Sequence, residues 1–240
     1  MTIQEFHYDF LFKIDKVASL SREDFKPEEI DWFLNEAQRV LIKTKYEGLN
    51  PSRTGFEMTQ KRIDDLSTIV VKYPEEGLIT PTSLGGGVYE VPLASLTHPY
   101  WFFIRGSVEV SDTNCTIEVP LKLIQHDDLS SVINDPFNNS SDEWILFNFG
   151  RSNGSSNTSI YLYPGTLTID NFKIEYIKKP ERMSLGTYQY IDAVTYPAAT
   201  SELPEQVHTE IVDLAVQIAA GIIENPDYLN MKTQKVLQNG

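Results

Sequence analysis

The chain has 240 residues, 41% of them hydrophobic and 22% charged, with 34 acidic against 20 basic side chains and a formal net charge of −14. That length allows one large domain or two small ones around a buried core, and the acidic balance excludes tracking of a nucleic-acid groove, which needs clustered Lys and Arg to displace counterions. The lone cysteine, Cys115, excludes an internal disulfide, and the longest apolar run, Leu214 to Ile223, is broken by Gln217 and reaches about half the length that spans a bilayer.

Met1 to Glu5 has neither the basic nor the apolar region of a signal peptide, so a cytoplasmic site of synthesis is expected. Apolar side chains at Ile3, Phe6, Phe10, Ile14 and Val17 predict a first helix by their spacing. After a polar break from Ser19 to Lys26, Pro27-Glu28-Glu29 opens a second: proline suits the first turn and acids suit the positive end of the dipole. Its apolar face is Ile30, Phe33, Leu34, Ala37, Val40 and Leu41, and turn residues from Gly48 to Gly55 end it. A shorter helix is expected from Thr59 to Leu66.

The period then changes. Strand-like runs rich in aromatic and β-branched residues occur at Thr68–Tyr73, Val88–Leu93, Tyr100–Val110, Cys115–Ile124, Trp144–Phe149, Thr158–Tyr163 and Thr166–Ile177. Residues Pro74 to Gly87 read as a loop, and Asp127 to Ile133 as a short helix stopped by Asp135-Pro136. So many short strands imply an antiparallel sandwich or barrel, with Cys115 a packed small residue in one strand. Pro180 to Ser201 is irregular, and Pro204 opens a last helix that runs to about Asn225, before Pro226.

The expected fold is therefore α+β: helical N- and C-terminal segments packed together with a central antiparallel β-sandwich or barrel. The expected divisions are 1–66 helical, 67–182 β-domain, and 183–240 an irregular linker with the C-terminal helix and tail. Neither helical end is long enough to bury its own face, which is why they are expected to pack on each other.

Tests for chemistry give no catalytic, cofactor or metal residues. His7, His98, His126 and His208 form no HxxxH or HExxH pair. His126-Asp127-Asp128 reads as a helix cap in which Asp accepts backbone N–H groups. The carboxylate pairs Glu28-Glu29, Asp64-Asp65, Glu75-Glu76 and Asp142-Glu143 are sequence neighbours, unlike two acids facing across a glycosidase cleft. Gly85-Gly86-Gly87 lacks the GK[ST] ending of a phosphate loop and leads into a strand, so a flexible loop or a close backbone contact is expected. Gly150-Arg151-Ser152-Asn153-Gly154 has the letters of a nucleophile elbow but lies between strands, not between strand and helix. The aromatic runs Tyr100 to Phe103 and Trp144 to Phe149 suit core packing, with carbohydrate stacking as the alternative function.

The strongest positive signal is the last helix. Val207, Ile211, Leu214, Ile218 and Ile222 form one stripe, widened by Val212, Val216, Ala219, Ala220 and Ile223. Only Gln206, Glu210, Asp213, Gln217 and Glu224 stay polar, so burial on several sides is expected. Small Ala219, Ala220 and Gly221 allow another backbone to approach, from this chain or from a neighbouring subunit.

Four stretches carry a family resemblance: Met1 to Val17; Glu29 to Gln38; Gly55 to Leu66; and Tyr176-Ile177-Lys178-Lys179-Pro180 with Leu203 to Val212. On them the chain resembles virion ring or head–tail adaptor proteins of tailed phages, in particular those of crAss-like phages. The resemblance implies a structural, non-enzymatic virion protein: a subunit of a homo-oligomeric ring of twelve copies, between portal protein and neighbouring tail rings. DNA would pass through such a ring without specific binding, and the acidic balance suits a channel wall that repels the polymer. No cofactor and no membrane are implied. For assembly, the residues expected to matter are Trp32, Val216, Ala219, Ile222 and the tail residues Tyr228, Leu229 and Leu237.

Overall fold

The structure, a computed structural model, describes residues 1–17, 25–47, 60–112, 115–152, 157–186, 188–189 and 194–222. In chain order its elements are α1 (Ile3–Val17), α2 (Pro27–Glu47), α3 (Gln60–Leu66), a 3-10 turn (Ser67–Ile69), β1 (Val70–Val71), β2 (Thr82–Gly85) and β3 (Val88–Pro92). There follow β4 (Tyr100–Asp112), β5 (Cys115–Leu123), α4 (Leu129–Ile133), β6 (Ile145–Arg151), β7 (Thr158–Tyr163), β8 (Thr168–Lys178) and α5 (Glu205–Ile222). They fall into two compact units, one of residues 1–69 with 180–240, the other of 70–179.

The first unit is helical. Ile3, Phe6, Phe10 and Ile14 of α1 are buried, as are Ile30, Phe33, Leu34, Ala37 and Ile42 of α2. Phe10 stacks on Phe33 with centroids 5.9 Å apart, and Phe6 meets the His208 ring of α5 at 5.0 Å. These contacts bring the first and last helices onto one core, each supplying the apolar face that its periodicity marks. Val40 and Leu41, expected on the α2 face, are only partly buried, and Ile42 takes the inner place.

The second unit is one curled sheet of eight strands, a half-barrel, in the order β1-β8-β4-β5-β6-β7-β3-β2. It is mostly antiparallel. The exception is β5 with β6, which pair in parallel (Leu121 with Ile145, Leu123 with Phe147), because the chain crosses over through α4 before β6 begins. Side chains that alternate along the strands fill its core: Val108 and Val110, Ile145 and Phe147, Ile160 and Leu162, and Phe172, Ile174 and Tyr176. A bulge between Glu109 and Val110 sets Ile169 opposite Val110 and Asn171 opposite Glu109. It changes the parity of β8, so that Ile169 and Phe172 both reach the core.

Three local expectations are corrected. The run Thr68–Tyr73 is mostly not strand: Ser67–Ile69 is a 3-10 turn, and only Val70 and Val71 pair, with Ile177 and Tyr176. The loop expected over Pro74–Gly87 contains β2, an edge strand whose side chains are all exposed, so it has no apolar alternation to read. Asp128 precedes α4 with αR backbone and makes no side-chain capping bond; its carbonyl accepts from Ser131 and Val132 N–H instead. Gly85, Gly86 and Gly87 all have positive φ and turn β2 into β3, and a Cβ on Gly87 would lie 3.2 Å from the Gly165 carbonyl, a close backbone contact.

Candidate assembly surface

The face of α5 turned into the helical unit is Val207, His208, Ile211, Val212, Ala215 and Ala219. Of the residues expected at subunit contacts, Ala219 is fully buried here, Val216 is partly buried, Ile222 is 57% exposed and Trp32 is 44% exposed, resting edge-on against Phe33. Tyr228, Leu229 and Leu237 lie outside the described residues, as do Ile223, Glu224 and the expected helix end at Asn225.

Polar bonds fix α5 at both sides of its apolar face. His208 donates Nε2–H to the Leu203 carbonyl at 2.8 Å and accepts the Met1 ammonium at Nδ1 at 3.0 Å, so the ring is neutral. Burial pushes its pKa down, outweighing the Leu203 bond that works the other way. Lys13 bonds Asp213 and Asp9; burial works against its charge, but these two carboxylates raise its pKa on balance. Buried Lys45 donates to Asp65 and, at 2.8 Å, to Glu210, which also takes Lys61 at 3.0 Å. Burial would raise Glu210, but the two lysines hold it below the usual carboxylate value.

A second device was not legible in the sequence. Asp31, Asn35 and Gln38 lie on one side of α2 at helical spacing and bind the segment that returns toward α5. Asp31 is fully buried and accepts from His7 Nε2–H at 2.6 Å, from Leu185 N–H at 2.9 Å and from the Tyr188 hydroxyl. Asn35 accepts from Met183 N–H at 2.9 Å and donates to its carbonyl at 2.8 Å. Gln38 accepts the Ser201 hydroxyl at 2.8 Å. Side chains of α2 thus hold Met183, Leu185, Tyr188 and Ser201, bonds that no periodicity of those residues would announce.

Several of the groups tested for chemistry have partners within the fold. His7 and His208 are held as above, His126 meets Asn148 at 3.3 Å, and His98 lies 3.7 Å from Glu75. Glu76 accepts from Thr97 N–H and the Tyr176 hydroxyl; burial and then that carboxylate push the phenol pKa up. On the sheet, Lys173 bonds Glu109 at 2.9 Å and Glu118 at 2.8 Å, and Arg105 bonds Glu175 at 2.7 Å. Glu109 and Glu118 are each held low, in both cases chiefly by Lys173. An open cleft beside them, lined by Tyr73, Arg105, Glu118, Leu121, Lys173 and Glu175, thus carries paired charges. Tyr100, Phe103 and Phe149 pack on the sheet core and Phe147 is buried in it, so the aromatic runs are spent largely on packing. Among the described residues no group of three or more His, Cys, Asp or Glu is placed to hold a metal ion, and no helix is long and apolar enough to cross a membrane.

What remains conspicuous is exposed aromatic surface on helices and a chain that is matched almost from end to end. The model of the phage tail ring protein 3/4 family, of crAss phages, matches residues 1–228. The chain belongs to this family. It is a structural protein of the phage tail, located in the virion. No curated protein matches it. In this ring protein two further residues, Tyr8 and Phe12, are 79% and 61% exposed on α1. Their signal was available: two aromatics one turn apart, off the Ile3-Phe6-Phe10-Ile14 stripe.

Proposed function

We propose that the chain assembles into a closed cyclic homo-oligomer that connects the portal and capsid to the tail and extends the DNA channel. The observation that carries this reading is the tail-ring family match over residues 1–228. A ring around DNA needs no catalytic centre, and a formal net charge of −14 suits a wall along which the polymer slides without binding. A closed ring needs subunit contacts that repeat around an axis, and exposed apolar side chains such as Trp32 and Ile222 are suited to supply them. Val216, Ala219 and the tail residues Tyr228, Leu229 and Leu237 belong to the same proposed contacts, with Ala219 acting from inside the helix packing.

In this reading the helical segments 1–66 and 183–240 pack together, and residues 67–182 form the β-domain as a sandwich or barrel. The copy number is twelve, after the resemblance to connector rings. The test is the mass of the purified full chain, alone and with the portal and neighbouring tail proteins, followed by negative-stain imaging. Closed rings support the reading and give the copy number. A chain that stays monomeric in all these mixtures refutes it.

A further inference from the structure

We draw no further inference here: the strongest candidate, the exposed aromatic surface of the helical unit at Tyr8 and Phe12 of α1 and Trp32 of α2, carries none because nothing in the structure shows what covers it.

Discussion

Replacing Asp31 by Ala tests whether α2 orders the returning segment. The carboxylate is fully buried and receives His7 Nε2–H, Leu185 N–H and the Tyr188 hydroxyl. A hydrogen bond to a charged group contributes about 1.5–3 kcal/mol net, and the three are not additive because they share one acceptor. Breaking one side of a buried pair costs about 3–5 kcal/mol. The expected loss is therefore about 4 kcal/mol, a large share of the ~5–15 kcal/mol that holds a domain together. The assay is urea unfolding followed by Trp32 fluorescence, with Trp101 and Trp144 changed to Phe so that the probe reports the helical unit alone. With a urea slope of about 2 kcal/mol/M, the midpoint falls by about 2 M. Tyr188→Phe removes one donor and should cost only about 1 kcal/mol. A shift below about 0.5 M for Asp31→Ala, or one no larger than for Tyr188→Phe, would refute the reasoning.

Three further outcomes are expected. The folded-state pKa of His208 is depressed below the ordinary imidazole value of 6.5, chiefly by burial, so the neutral ring stabilises the fold above that pH. As pH falls below 6.5 the unfolded chain takes up a proton that the folded chain refuses, and stability declines; urea midpoints at pH 7.5 and pH 5.5 should show this slope, and His208→Gln should flatten it. Lys45→Met leaves Asp65, 1% exposed, without its cation and should cost about 3 kcal/mol, while adding Asp65→Leu should recover most of it, as a double-mutant cycle would show. Gly186→Ala puts a Cβ 2.6 Å from the Ala198 backbone nitrogen at a φ of +76°, and thermal melting should report a loss of about 1–3 kcal/mol.

The helices were legible because their signal is local. Ile3, Phe6, Phe10 and Ile14 mark one face within 12 residues of chain, and burial follows that face whatever packs on it. The strands β4 to β8 were legible for the same reason, down to Thr158–Tyr163. Where the signal failed, the deciding partner was distant. Strand β2 has four exposed residues and exists through its ladder to β3. Thr68–Tyr73 has β-rich composition but yields only two paired residues, because β8 offers partners only at Tyr176 and Ile177. The parallel pairing of β5 with β6 depends on the path taken through α4, which no window of residues contains.

The candidate assembly surface divides in the same way. The sequence by itself determined an acidic protein with helical ends, a strand-rich middle and a C-terminal helix too apolar for an open surface, since composition and period are properties of short windows. Only the tertiary structure decided that Ala219 faces inward while Ile222, Trp32, Tyr8 and Phe12 stay at the surface. It also decided that Asp31 and Asn35 bind the chain more than a hundred residues later, at Leu185 and Met183. Exposure and long-range hydrogen bonds are relations between segments, and they acquire values only once the chain has packed.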